Sequence, residues 1–317
     1  MVIRDKPWWP WLKRALTFAF FALVIGLLVK YARGVDWGDV KESLLALPRH
    51  VLWEAAALCA CSHLLYSCFD LVGRRYTGHR LRVPQVMQVN FISYAFNLNM
   101  GSLVGGVAFR FRMYSRLGLA TATITRVLTL SMLTNWLGYL LLAGIVFTVA
   151  PLALPPDWKL DSEGLQLLGI VLLALALTYL LLCGWSKKRS WTLRGHELLL
   201  PRPTMAIVQL AMSCANWMIM AGAVHVLLQG KVPYSDVLSV LLVAAVAGVI
   251  THVPAGLGVL EAVFVALLSH RVPDAQLLAA LLGYRALYYI GPLLAAAVMY
   301  LSVELRARKQ LPVPQRP

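Results

Sequence analysis

Two stretches of this chain, Asn97-Leu-Asn-Met-Gly-Ser-Leu-Val-Gly-Gly-Val-Ala-Phe-Arg110 and His252-Val-Pro-Ala-Gly-Leu-Gly-Val-Leu-Glu261, are apolar but interrupted by glycine, proline and polar residues. They lie within longer segments, at about 85–112 and 235–269, in corresponding places of the two halves of the sequence. Lipid cannot hydrogen-bond a free backbone, so a helix break at membrane depth is stable only where protein or a water-filled cavity surrounds it. Paired breaks of this kind indicate a transport site between two repeats.

The composition is that of a membrane protein, with 60% hydrophobic and only 14% charged residues among 317. Stretches of about 20 apolar residues, enough to span a bilayer as a helix, recur along the whole chain. They run at about 15–31, 51–72, 85–109, 122–150, 165–185, 205–229, 235–270 and 275–303. The connections leave no room for a separate soluble domain, so residues 1–317 are predicted to form a single integral membrane domain. The first stretch lacks a cleavage site and is interpreted as an uncleaved anchor.

The net charge of +15 comes mainly from Lys and Arg between the apolar stretches, which is typical of cytoplasmic connections rather than of nucleic-acid binding. Four or five such residues occupy the N-terminus, the connections at 73–84, 110–126 and 186–204, and the basic tail at 305–317. The connection at 151–164 holds only Lys159 and three acidic residues. This pattern predicts that both termini are cytoplasmic and that 151–164 is outside. The connection at 30–50, placed outside with four basic residues, is the exception.

Segment 85–109 is flanked by basic connections on both sides, and it is too short for two crossings of about 20 residues each. It is therefore predicted to be a re-entrant hairpin. Segment 235–270 begins and ends outside, as either a second hairpin or two short helices broken at Pro254 and Gly256. The predicted fold is all-α and polytopic, with about six spanning helices, two re-entrant or broken hairpins, and inverted-topology repeats at about 1–150 and 163–304. Eight spanning helices are the alternative.

Three charged residues lie deep in apolar segments: Asp70, Glu261 and Arg285. Such a residue costs about 3 kcal/mol on insertion scales and is a functional candidate by default. Glu261 follows the second break, where it either engages a substrate or caps backbone N–H groups of a half-helix. Arg285 is its predicted ion-pair partner. Asp70 is expected to pair with Arg74 or Arg75.

The first break leads into a group of arginines, among which Arg110 and Arg126 are the candidate phosphate ligands. Guanidinium groups bind phosphate oxygens bidentately, and the N-termini of half-helices favour anions. The alternative is ordinary cytoplasmic flanking charge. Asn97 and Asn99, at the same break, are predicted to line the substrate path.

The backbone breaks themselves are predicted to depend on small or rigid residues. These are Gly101, Gly105 and Gly106 in the first segment and Pro254, Gly256 and Gly258 in the second. His252 adjoins the second break, where it either relays protons or is a neutral imidazole bonded to backbone.

Nothing in the sequence indicates an enzyme. There is no phosphate-binding loop of the ATPase type, no nucleophile elbow, and no His or carboxylate cluster with the spacing of metal ligands. We therefore predict no catalytic residue, metal or cofactor, and no nucleic-acid partner.

The second break, Pro254-Ala-Gly-Leu-Gly-Val-Leu-Glu261, resembles the Pro-Gly-Gly-Leu-Gly-x-x-Glu signature of the lysylphosphatidylglycerol synthase transmembrane-region family. The first break, with Arg110, Arg116-Leu-Gly118 and Arg126, resembles that family's other characteristic stretch, and the similarity covers nearly the whole chain. It implies a bacterial inner-membrane protein, related to membrane domains that flip aminoacylated phospholipids. Synthase activity is not expected, because the soluble domain that makes the lipid is not evident here. Val107 stands where the family often has an acidic residue.

The predicted function is translocation, without ATP, of a membrane phospholipid or lipid-linked head group between leaflets. In this interpretation the arginines hold the phosphate, and Glu261 engages a cationic group or a proton. An alternative from another class is a membrane partner or regulator of a lipid-synthesising enzyme that moves nothing. A third, a membrane enzyme acting on lipids, is disfavoured by the missing catalytic constellation.

Overall fold

The structure is a computed structural model and describes residues 36–150, 152, 161–186, 190–193, 196–251, 253 and 256–309. The predicted spanning segment at 15–31 lies outside the described residues, as do His252, Pro254 and the end of the basic tail. The helices and strands run as follows: α1 Trp37–Leu45, α2 Arg49–Ser67, α3 Phe69–Thr77, α4 Val83–Met100, π1 Ser102–Ala108, α5 Phe109–Arg116, α6 Thr121–Val149, α7 Ser162–Trp185, β1 Ser190–Leu193, β2 His196–Leu199, α8 Pro203–Leu227, α9 Tyr234–Thr251, α10 Val259–Leu268, α11 Asp274–Arg285, π2 Ala286–Ile290 and α12 Gly291–Lys309.

The predicted class, a polytopic helical membrane protein, is confirmed. Within the described residues, six helical stretches are long and apolar enough to cross a bilayer: Arg49–Thr77, Thr121–Val149, Ser162–Trp185, Pro203–Leu227, Tyr234–Thr251 and Asp274–Leu305. Five of them match predicted spanning helices, and the sixth is the first arm of the 235–270 segment. The regular secondary structure of the described residues is helical except for a short antiparallel hairpin of β1 and β2, which lies inside the basic connection at 186–204.

Local sequence signals explain several helix starts. Asp36 accepts hydrogen bonds from the backbone N–H groups of Gly38 and Asp39 at the start of α1, at 2.9 and 3.3 Å. Asp161 does the same for Gly164 at the start of α7, at 2.7 Å. These carboxylates satisfy N–H groups that have no partner within the helix. Pro203, whose fixed φ suits a first helical turn, begins α8.

The first broken segment folds back on itself at Gly101, which has a φ of +86° that residues with a Cβ rarely adopt. The chain after the break packs against α4, so a Cβ on Gly105 would lie 2.0 Å from the backbone nitrogen of Asn97. Further along the two arms, the rings of Phe96 and Phe109 stack with centroids 4.2 Å apart. The two arms are therefore antiparallel and in close contact.

The second broken segment also folds back. Helix α10 has 10 residues, so it is about 15 Å long, half of the roughly 30 Å hydrocarbon thickness. It begins after Gly258, whose φ is +74°. Near the open end of the hairpin, Arg271 forms an ion pair with Asp236 of α9. The membrane side on which each arm ends, and the inverted relation of the two halves, stay predictions.

Candidate functional site

A cavity of about 700 Å³ lies between the two broken segments. The first break lines it with Asn97, Gly101 and Gly106, and the second with Val253 and Gly256. Helices α2, α6, α8 and α11 and the π2 segment complete the wall with Tyr66, Met132, Asn135, Trp136, Trp217, Met220, Tyr284 and Tyr289. This volume is within the range of about 300–1,000 Å³ that small-molecule sites occupy in proteins.

The cavity opens at the surface of the helical bundle. Three apolar residues of its wall are largely exposed: Met100 at 54%, Trp136 at 43% and Val249 at 49%. They belong to α4, α6 and α9. A ligand can therefore enter between these helices without unfolding the bundle.

Arg110 brings a positive charge to the cavity wall and is itself buried. Its Nε lies 3.4 Å from Oδ2 of Asp70. Its Nη2 donates to Oδ1 of Asn90 and, at 3.3 Å, to Oγ of Ser131. The hydroxyl of Tyr114 donates to the same Asp70 oxygen at 2.8 Å. The guanidinium is thus held in place by residues of three helices, in addition to the helix that carries it.

The expectation that Asp70 pairs with Arg74 or Arg75 is wrong. Asp70 is fully buried on the side of α3 that faces Arg110. The Nε of Arg74 instead donates to the backbone carbonyl of Leu81 at 2.7 Å, and Arg75 is exposed. Burial decides the pairing, because a buried carboxylate needs a buried cation whereas an arginine near the surface can be solvated.

The predicted ion pair between Glu261 and Arg285 is present beside the second break. The Arg285 guanidinium donates two hydrogen bonds to the Glu261 carboxylate: Nε donates to Oε1, and Nη2 donates to Oε2 at 2.9 Å. Nη2 also donates to the carbonyl of Gly256 at 2.8 Å, and the guanidinium lies over the Tyr289 ring at 5.2 Å. Arg285 therefore bonds the backbone of the break to π2, and both charged residues are only 8% exposed.

The two predicted asparagines differ in position. Asn97 lines the cavity. Asn99 is not among the residues that line the cavity, and its Nδ2 donates to the carbonyls of Ala95 at 2.8 Å and Tyr289 at 3.2 Å. Asn99 therefore stabilises the contact between the first break and π2, and the structure does not place it on the cavity wall.

Of the two candidate phosphate ligands, the structure brings Arg110 to the cavity and leaves Arg126 elsewhere. Arg126 is exposed on the first turns of α6 and does not line the cavity. Its position fits the flanking charge that the sequence left open as an alternative.

Sequence reasoning missed the aromatic content of the wall. Six aromatic residues line the cavity: Tyr66, Tyr94, Trp136, Trp217, Tyr284 and Tyr289. The run Tyr284-Arg-Ala-Leu-Tyr-Tyr289 was a visible signal, since tyrosines around a membrane arginine need polar surroundings for their hydroxyls.

A buried hydrogen-bond network fixes this aromatic wall. The hydroxyl of Tyr288 lies 2.9 Å from that of Tyr94 and 3.0 Å from Oγ of Ser62. Ser62 in turn donates to Oδ1 of Asn216 at 2.7 Å. Asn216 of α8 thus bonds a residue of α2. Within the described residues, no group of three His, Cys, Asp or Glu side chains is arranged to hold a metal ion.

Comparison with known proteins gives consistent matches along the chain. The model of the family described as lysylphosphatidylglycerol synthase TM region matches residues 14–296. The chain is 48% identical over 307 residues to inner membrane protein YbhN of Escherichia coli (strain K12), covering 96% of both chains. It is 30% identical over 303 residues to the uncharacterized protein slr0712 of Synechocystis sp., covering 93% of this chain and 94% of the relative. A phosphatidylglycerol lysyltransferase of Staphylococcus aureus (strain MRSA252) is 24% identical over 298 residues, but the chain spans only 34% of its length.

Proposed function

Since the chain belongs to the lysylphosphatidylglycerol synthase transmembrane-region family, we propose that it moves the head group of a membrane phospholipid or lipid-linked substrate between the two leaflets. The observation that carries this proposal is the cavity: both broken segments line it, and it opens at the surface of the bundle. The chain also matches a part of enzymes that are named phosphatidylglycerol lysyltransferases. The substrate in that name, phosphatidylglycerol, is a lipid.

The physical requirement for lipid movement is a polar path for the head group beside an apolar surface for the tails. Arg110, Asn97 and Asn135 provide polar groups in the cavity wall. Met100 and Val249, exposed at its mouth, provide the apolar edge along which acyl chains remain in the bilayer. In this mechanism Arg110 binds the phosphate, and the Glu261–Arg285 pair holds the second break in the shape that forms the wall. The movement uses no ATP.

A blocked cavity tests the proposal. Gly248 of α9 lines the cavity, and no atom lies within 4 Å of a Cβ built on it. Gly248→Phe should therefore fold normally and fill the path. The matched control is Gly184→Phe, on the exposed surface of α7, where a Cβ likewise meets nothing within 4 Å.

The measurement is the rate at which fluorescent phospholipids in the inner leaflet of proteoliposomes become accessible to a membrane-impermeant quencher. Wild type and Gly184→Phe should move lipid at equal rates, and Gly248→Phe should lower the rate at least tenfold. Equal rates for Gly248→Phe and wild type would show that lipid does not use this cavity. Liposomes with wild type that behave like protein-free ones would refute translocation itself.

Refutation of translocation would favour the alternative function, a membrane partner of a separate lipid-synthesising enzyme. One finding supports that alternative. The lysyltransferase relatives are about three times the length of the matched region, so in those proteins the matched membrane region is joined to a further part of the same polypeptide.

A further inference from the structure

Among the described residues, the charges in the cavity wall and in the ion pairs beside it sum to zero. Among the described residues that line it, Arg110 is the charged one, and Asp70 lies against it as a counter-charge. Beside the second break, Glu261 and Arg285 neutralise each other next to Gly256, which is part of the wall. Beside each break, one acidic and one basic side chain are thus already paired.

This balance sets a preference for the net charge of a ligand. A head group with a net charge would find no uncompensated opposite charge in the described wall. A charge without a partner near the bilayer centre is unfavourable, and water in the cavity lowers this cost without removing it. A head group whose own charges cancel avoids the cost.

The wall also contains hydrogen-bond donors that the protein does not use. Nε1 of Trp217 and the hydroxyl of Tyr284 are buried without a hydrogen-bond partner among the described residues, and both side chains belong to the wall. The side-chain amides of Asn97 and Asn135 line the cavity and make no hydrogen bond with the described part of the chain. An indole N–H can only donate, and a buried donor without a partner is unfavourable. The amides of Asn97 and Asn135, with Arg110, match the acceptor oxygens of a phosphodiester, and the indole N–H of Trp217 and the hydroxyl of Tyr284 lie just behind this part of the wall.

A positively charged group of a ligand, such as an ammonium, would bind at a different part of the wall. The rings of Tyr66 and Tyr94 cover each other, with centroids 3.5 Å apart, and Arg285 occupies a face of Tyr289. Trp136, at the exposed mouth, keeps indole surface accessible. Indole binds cations more strongly than the other aromatic rings do, so an ammonium group is best placed at this end.

We propose that the cavity selects a zwitterionic phospholipid head group, which carries one phosphate and one ammonium group and has no net charge. The phosphate oxygens accept hydrogen bonds from Arg110, Asn97 and Asn135, and the ammonium lies against Trp136. This inference rests on the proposed function, which makes a lipid the ligand of the cavity. It concerns which head group binds there, so a binding experiment tests it.

The test is competition among three lipids with identical acyl chains: phosphatidylethanolamine, which is zwitterionic, phosphatidylglycerol, which is anionic, and lysyl-phosphatidylglycerol, which is cationic. Native mass spectrometry of protein incubated with equal amounts of the three measures the bound lipid. Lipid retained by wild type but not by Gly248→Phe is bound in the cavity, and subtraction removes lipid bound elsewhere. Cavity-bound phosphatidylethanolamine should exceed each of the other two at least tenfold.

Charge variants make the test specific. Asp70→Asn and Glu261→Gln each add one positive charge, at opposite breaks. Both should therefore shift the ratio of cavity-bound phosphatidylglycerol to phosphatidylethanolamine upward, by about tenfold. If one of them fails to fold, the other still tests the charge balance. The control is Glu304→Gln, because Glu304 pairs with Arg112 and Arg116 away from the cavity, and it should leave the ratio unchanged.

The outcomes separate this inference from the proposed function. Selective binding of phosphatidylethanolamine without movement in proteoliposomes would support the inference and refute translocation. Equal or stronger cavity binding of either charged lipid, or no cavity-dependent binding of any of the three, would overturn the inference. If phosphatidylglycerol moves faster than phosphatidylethanolamine and also binds more strongly in the cavity, the inference is overturned but translocation is supported.

Discussion

Removing Arg285 should be far more damaging than removing a surface arginine of the same fold. Arg285→Ala leaves Glu261 buried without its cation, deletes two guanidinium–carboxylate bonds and the bond to the Gly256 carbonyl, and uncovers the Tyr289 ring. Truncating one member of a buried pair costs about 3–5 kcal/mol, mostly because the remaining charge is unpaired. We therefore expect a loss of about 3–5 kcal/mol in the free energy of unfolding.

The fold supplies a matched control. Arg271 pairs with Asp236, but their side chains are 43% and 22% exposed. Water solvates both charges when the pair is broken, so Arg271→Ala should cost about 1 kcal/mol or less. Reversible unfolding in mixed micelles, titrated with sodium dodecyl sulfate, gives both values on one scale.

A double variant separates charge burial from packing. Glu261→Gln together with Arg285→Met removes both charges and keeps most of the volume, so most of the lost stability should return. Glu261→Gln alone keeps the shape and an acceptor for Arg285 but removes the charge that pairs with the guanidinium, so its stability should lie between those of wild type and Arg285→Ala. Arg285→Ala that unfolds as readily as Arg271→Ala, or a double variant no more stable than Arg285→Ala, would refute the reasoning.

Two further predictions concern topology and packing. In a background without native cysteines, Asp161→Cys should react with an impermeant thiol reagent in intact spheroplasts while Asn99→Cys should not; labelling of position 161 only after the membrane is breached would contradict the topology. Gly105→Ala places a Cβ 2.0 Å from the backbone nitrogen of Asn97 and should cost about 3 kcal/mol or more in micelle unfolding, whereas Gly222→Ala, with its nearest atom at 3.7 Å, should change stability by less than about 1 kcal/mol. Equal stabilities would show that the first hairpin is not tightly packed.

The pairing of Glu261 with Arg285 could be predicted because so few charges lie in the apolar segments. Because few buried partners are available, two opposite charges in adjacent membrane helices are expected to pair with each other. The breaks could also be predicted, since glycine, proline and polar residues cluster at corresponding places in two apolar segments, which is typical of paired broken helices.

The partner of Asp70 could not be predicted in this way. Arg74 is four residues away on the same helix, which is the spacing of a good local pair. Arg110 is forty residues away, and only the packing of α3 against the first hairpin brings its guanidinium to the carboxylate. Sequence spacing carries information about neighbours on one helix and almost none about which helices meet.

The cavity wall was also beyond the sequence, for a reason specific to membranes. In water, a helix shows its buried face by an apolar stripe, but a helix in lipid is apolar all round. Nothing in the hydropathy therefore told Trp217, which lines the cavity, from Trp185, which is exposed on α7. The same limit applies to Arg126, because flanking charges and ligand-binding charges look alike until a cavity distinguishes them.

The two buried ion pairs have an electrical consequence. Moving net charge through a membrane potential changes the free energy by about 2.3 kcal/mol per elementary charge for each 100 mV. Asp70 with Arg110, and Glu261 with Arg285, are each neutral as a unit. A rearrangement of the bundle that shifts each pair intact, without turning it, therefore transfers no gating charge, and the voltage across the membrane neither drives nor opposes it.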